Sequence, residues 1–200
     1  MKFKEYLTET ADISMATWNE LSTTLIKNCQ PFIKELRGAR SLLYRGVRVI
    51  PKTYDKKSPR SDRKPRLLDT ELHDILNKET KKMFGWNTRS EGVFTTNNYG
   101  NAKSWGKPAI IFPIGNFKYI WNKNTYNLYN LYDSWFDDDD ILQEILKELK
   151  DYKSTNLSSF LRNPDFTVSE AIIKCKSYYL INPVWKETLL AYFSEGRDKK

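Results

Sequence analysis

Cysteine is almost missing from this sequence: Cys29 and Cys175 stand far apart, with neither a CxxC partner nor a histidine cluster nearby. A disulfide scaffold and a zinc site are both disfavoured by that spacing, and the two thiols are expected to be free and buried or half-buried. Histidine occurs once, as His73, within a stretch of helical periodicity and without a serine or cysteine in a nucleophile-elbow setting beside it. A triad hydrolase is therefore disfavoured. Glycine is thin, with 8 residues in 200, and no Gly-rich phosphate loop of either common spacing occurs, which leaves a Rossmann site or a P-loop without support. Long apolar runs are missing too. No window approaches the roughly 18 apolar residues of a membrane span. The opening Met-Lys-Phe-Lys-Glu-Tyr also lacks the apolar segment of a signal peptide, so a cytoplasmic protein is expected. With no repeats and no low-complexity linker, the simplest partition is one domain, with residues 1–40 a helical segment of the same unit and residues 41–200 its core.

What the chain does have is a hydrophobic content of 40%, including 14% aromatics, enough to bury a core. Its 33 Lys and Arg against 25 Asp and Glu give a net charge of +8, a field that attracts polyanions such as RNA, DNA or a dinucleotide. Much of the excess lies between Lys52 and Lys64, which has turn formers and no hydrophobic period. It reads as a solvated loop or as one that contacts a polyanion through Lys56, Lys57, Arg60 and Arg63.

Apolar residues recur at helical spacing from Met15 to Leu36, interrupted at Pro31, so one or two helices are expected there. Ser41 to Ile50 reads as a strand with an arginine in its middle, and Asp69 to Phe84 as a helix ended by Gly85. Further on, Gly92 to Thr96 reads as a short strand, Asn98 to Trp105 as a helix, Ala109 to Ile114 as a strand and Ala171 to Ile181 as one alternating strand. The four carboxylates Asp137 to Asp140 precede an amphipathic run (Ile141, Leu142, Ile145, Leu146, Leu149) and read as a helix N-terminus in preference to a metal site. Helices first, then short strands interspersed with helices, predict an α+β fold.

Three polar features remain inside apolar surroundings, where such groups are costly unless paired or functional: Arg45, the Phe94-Thr95-Thr96-Asn97 stretch and Glu170. Taken together and in order, Leu43-Tyr44-Arg45-Gly46, Val93-Phe94-Thr95-Thr96-Asn97 and Ser169-Glu170-Ala171-Ile172-Ile173 resemble the three motifs of the mono-ADP-ribosyltransferase family of the Arg-Ser-Glu class. The likeness covers roughly residues 41–182. More loosely, the Lys-rich opening and Tyr178 to Ile181 are similar to small transferase-like proteins of tailed bacteriophages.

The resemblance implies a split β-sandwich core and NAD+ as substrate, cleaved between nicotinamide and ribose with transfer of ADP-ribose to a macromolecule. Cleavage passes through an oxocarbenium-like cation, which calls for a carboxylate beside the ribose and a clamp on the diphosphate. By resemblance Glu170 is that carboxylate and Arg45 the clamp, while the Thr95 hydroxyl holds Glu170 in position. Gly46 lets main chain approach the nicotinamide amide, Phe94 walls its pocket or belongs to the core, and Thr96 and Asn97 complete the cofactor-binding set. Asn97 departs from the family's last serine. Two residues before Glu170, Val168 stands where arginine-modifying relatives carry a second glutamate, so an arginine acceptor is disfavoured. The charge tilts the acceptor towards nucleic acid over protein. NAD+ hydrolysis, or a virion-associated binding protein that keeps the fold without turnover, are the alternatives.

Overall fold

A computed structural model describes residues 14–60, 70–124, 143, 146–163 and 169–195. Ser14 caps helix α1 (Met15–Asn28), its hydroxyl accepting the Thr17 amide at 3.1 Å. Apolar residues at helical spacing then bury Trp18, Leu21 and Leu25 on one side. Pro31 lies in the first turn of α2 (Gln30–Glu35), where a missing N–H breaks no helical bond, so the interruption expected at Pro31 falls between two helices. Strands β1 (Tyr44–Val47) and β2 (Tyr54–Lys57) follow, then α3 (Thr70–Phe84), ended by Gly85 at φ +78°. Next come α4 (Thr88–Glu91), β3 (Val93–Thr95), α5 (Tyr99–Ser104), β4 (Lys107–Pro113) and β5 (Lys118–Asn122). The Asn98 side chain caps α5 by accepting the Asn101 amide at 3.0 Å. A helical stretch over 146–150, α6 (Leu157–Arg162), β6 (Glu170–Lys174), β7 (Tyr178–Ile181) and α7 (Lys186–Phe193) complete the described order.

The strands form two antiparallel sheets, one in the order β1-β4-β7-β2 and the other β3-β6-β5. The fold is α+β. Helices α1, α2 and α7 pack with the first sheet; Phe32 of α2 meets Phe112 of β4 edge to face at 5.0 Å, and Phe193 of α7 closes on the same ring at 6.1 Å. Strand alternation divides the second sheet between two apolar clusters. Ala171 and Ile173 face the main core with Val93 and Trp121, while Ile172 joins Ile120, Leu72 and Leu76 of α3, Trp86, Leu149 and Tyr152, with Phe94 against them. Each fully buried Leu, Ile or Phe of these clusters contributes about 1.5–3 kcal/mol. Among the described residues no helix is long and apolar enough to cross a membrane.

Several sequence expectations are corrected here. The single strand expected over Ala171 to Ile181 is two strands in different sheets, broken at Cys175-Lys176-Ser177, because two consecutive sets of apolar residues serve two different layers. The loop expected from Lys52 to Lys64 contains an edge strand, Tyr54–Lys57, whose pairing with β7 supplies what its sequence lacks in hydrophobic period. The strand expected over Ser41 to Ile50 is confined to four residues, and Val49 beyond it is 75% exposed. Strand β5 and helices α6 and α7 were not anticipated. The Asp137 to Asp140 run, Arg63 and Val168 lie outside the described residues. Cys29 is buried and Cys175 half-buried, both free, and burial pushes each thiol up to about 12, so neither is a reactive thiolate at neutral pH.

Candidate functional site

The three motifs fall on three strands that are joined edge to edge. Tyr44, beside Arg45, exchanges two main-chain hydrogen bonds with Thr96, at 2.7 and 2.9 Å. Thr95 in turn stands opposite Ala171, so that Glu170 lies one register step on, across from Thr96. The join between the two sheets and the carboxylate of the third motif therefore share one end of the fold.

Glu170 is 1% exposed at the start of β6. A buried carboxylate needs partners, and the Tyr152 hydroxyl donates to its Oε1 at 2.5 Å. Burial, followed by the negative charge of Glu170, raises the Tyr152 phenol well above its ordinary range, which keeps it a donor. The reach across the sheet is set by register. Asn122 pairs with Glu170, and Lys153 is bridged to Trp121 by two 2.9 Å main-chain bonds, which brings Tyr152 opposite Asn122. Tyr152, Asn122 and Glu170 thus form one row across adjacent strands.

The second motif is placed inside the fold, and its donors are engaged. The Thr95 hydroxyl donates to the Ala171 carbonyl at 2.8 Å. Its single proton is thereby committed to main chain, which corrects the expectation that it holds the Glu170 carboxylate. Ser169 donates to Asn97 Oδ1 at 2.6 Å, so Thr96 must be the donor in the 2.9 Å contact between the Thr96 and Ser169 hydroxyls. Asn97 passes its two amide protons to the carbonyls of Phe160 and Asn163, at 2.7 and 3.2 Å, and its own carbonyl accepts the Ser41 hydroxyl. Thr96 and Asn97, expected as cofactor contacts, instead lock β1, β3, α6 and β6 together from within, because both are buried and have no side-chain proton left over.

Arg45 is half-buried on β1, and its guanidinium has no hydrogen-bond or ion-pair partner among the described residues. Next to it, the space a side chain on Gly46 would take is occupied: an added Cβ would lie 2.4 Å from the Trp105 carbonyl carbon and 2.7 Å from the Gly106 nitrogen. Packing of β1 against the turn after α5 accounts for this glycine, where the resemblance gave it to the nicotinamide amide. Phe94 is half-buried against the second cluster. The basic residues Lys56 and Lys57 lie on β2 and Arg60 just beyond it, at the opposite edge of the sheet from β1. Three strand spacings put that edge about 14 Å from Arg45.

Two residues of this region were missed from sequence. Tyr152 continues the stripe of Ile145 and Leu149 at i+7, a signal that identifies a core position but not a partner for a glutamate. Arg89, on α4, lays its guanidinium over the Phe94 ring with Cζ 4.6 Å from the centroid, and its buried Nη1 has no hydrogen-bond partner among the described residues. Asn77 accepts the amides of Arg89 and Ser90 at 3.0 and 3.2 Å, fixing the start of α4. His73 supports this arrangement from 3.3 Å away, a structural place for the lone histidine. Among the described residues no group of His, Cys, Asp and Glu is arranged to hold a metal ion. Comparison of the chain with family models, curated proteins and solved structures found no match.

Proposed function

We propose that this protein binds NAD+, cleaves the bond between nicotinamide and ribose, and transfers ADP-ribose to a macromolecule. The observation that carries the reading is the junction of β1, β3 and β6, which gathers three motifs distant in sequence at one end of the fold with a carboxylate and a half-buried arginine among them. Glu170 stabilises the positive charge that develops on the ribose, and Arg45 offers its unengaged donors to the diphosphate. The Tyr152 hydroxyl bonded to Oε1 gives that carboxylate a defined direction. The decisive experiment is incubation with labelled NAD+ and a crude extract, followed by nuclease and protease separately. Label lost only to nuclease identifies nucleic acid as the acceptor, label lost only to protease identifies protein, and nicotinamide release without labelling identifies NAD+ hydrolysis. No nicotinamide release under any condition would leave the fold as a binding module.

Arg45→Ala is expected to raise the NAD+ dissociation constant about tenfold or more and to slow cleavage as well, since a phosphate clamp acts in both ground and transition states. Arg45→Lys recovers part of the loss, because a point charge lacks the two-pronged geometry. Isothermal titration with NAD+ checks this, and an unchanged dissociation constant in Arg45→Ala places the residue outside the site.

A nucleic-acid acceptor is favoured by the net charge of +8 and by the exposed basic edge at β2. Replacing Lys56, Lys57, Arg60 and Arg63 with glutamine is expected to reduce labelling of the macromolecule and to flatten its dependence on salt, with NAD+ hydrolysis in the absence of acceptor unchanged. The separation of β2 from β1 in the sheet order makes that split a sharp one. Labelling that survives nuclease and ignores the four changes assigns the acceptor to protein.

A further inference from the structure

A glutamate that acts on a developing cation must be aimed, and the residue expected to aim it, Thr95, has its only hydroxyl proton on the Ala171 carbonyl. The structure supplies another donor. Tyr152 comes from a segment the three motifs do not include, and its ring is wedged among Leu72, Leu76, Trp86, Ile120, Leu149 and Ile172, so its rotamer is fixed by packing. Its main chain is fixed as well: the Tyr152 amide bonds to the Leu149 carbonyl at 3.2 Å, and Lys153 adds to the edge of β5 at Trp121. From that place the phenol must span two strand spacings, about 10 Å between main chains, to reach Glu170 on β6. A tyrosine and a glutamate reaching towards each other cover it, and no shorter hydroxyl side chain at position 152 would.

We propose that Tyr152 is the positioning residue for Glu170, holding Oε1 and so setting the direction in which the carboxylate faces the ribose; the proposal rests on the NAD+ reading above. The hydrogen bond fixes the direction of the carboxylate, and a phenolic donor binds a carboxylate more strongly than it binds a neutral oxygen. The remaining charged groups felt by the phenol are Arg89, which opposes the carboxylate charge, and Glu148, which adds to it. Neither lies in the row of Tyr152, Asn122 and Glu170 that strand register sets, so the phenol is the group that the register aligns with the acid.

Two measurements on the full chain test this. In the first, Tyr152→Phe, which keeps the ring in its apolar cluster, is compared with the parent for kcat of nicotinamide release and for the NAD+ dissociation constant. The expected result is a loss of about 10–100-fold in kcat with the dissociation constant within about twofold, because aim and charge matter most in the transition state. In the second, which does not depend on that variant folding, the proton spectrum of the parent is searched for an exchange-protected phenolic resonance that moves upfield in Glu170→Gln, where a neutral amide oxygen replaces the carboxylate. A kcat for Tyr152→Phe within twofold of the parent, or a spectrum in which no hydroxyl proton responds to Glu170→Gln, overturns the role of Tyr152. A parent that leaves NAD+ intact overturns the NAD+ reading itself. The two failures are distinct: in the first the parent still cleaves NAD+, and in the second every form leaves it intact.

Discussion

Glu170→Gln is expected to fold like the parent and to lose roughly 10²-fold or more in NAD+ cleavage. The amide is nearly isosteric, and its oxygen still accepts the Tyr152 hydroxyl that now meets Oε1, so the row across β5 and β6 is kept. What disappears is a negative charge buried to 1% exposure, where electrostatic interactions are least screened by water. Removing it also relieves the desolvation of a carboxylate, so the melting temperature should hold or rise. Binding of NAD+ should largely survive, since the charge matters chiefly once the ribosyl cation forms. Nicotinamide release followed by chromatography, alongside thermal unfolding, checks both halves. A variant that turns over NAD+ at the parent's rate removes Glu170 from the chemistry.

Gly46→Ala is expected to destabilise the fold by about 3 kcal/mol or more, at the large end for a single added methyl group. The obstruction is main chain, the Trp105 carbonyl carbon at 2.4 Å and the Gly106 nitrogen at 2.7 Å, so no flexible side-chain end can yield. Either β1 draws away from β4 or the turn after α5 shifts, and Gly106 has little freedom, with φ at +139° and its own Cβ direction closed by Val47. For a chain of this size the loss corresponds to a fall of roughly 10 °C in Tm. Because Arg45 rides on the same strand, NAD+ affinity should fall as well. A Tm within about 2 °C of the parent means that the turn opens at little cost.

The helices with a clear apolar stripe were legible from sequence because stripe, cap and stop signals agree: Ser14 ahead of Trp18, Leu21 and Leu25, or Gly85 after α3. Strand β2 was not legible, since Tyr-Asp-Lys-Lys carries no period and is held by its partner β7. The break between β6 and β7 was hidden because Ala171 to Ile181 is apolar on both sides of Cys175 to Ser177, and only the existence of two sheets assigns its halves. At the candidate site, the three motif strands could be placed in order from sequence, whereas the direction of each hydroxyl could not. Thr95, Thr96 and Asn97 give their protons to groups set by tertiary packing, and Tyr152 finds Glu170 through a register that joins residues 18 apart in sequence across an intervening strand.

The position of β2 at the end of its sheet gives Lys56 and Lys57 a second consequence. A terminal strand presents a row of main-chain donors and acceptors to any second copy of the chain, and lysines on such a strand are a common guard against edge-to-edge aggregation. Asp55 and Lys57, paired at 3.1 Å and each about half exposed, add to a charged fringe along that edge. A protein stripped of these lysines therefore exchanges a loss of polyanion affinity for a gain in self-association. Light scattering across a concentration series distinguishes the two, and a charge-preserving Lys→Arg form of the same strand keeps the guard in place.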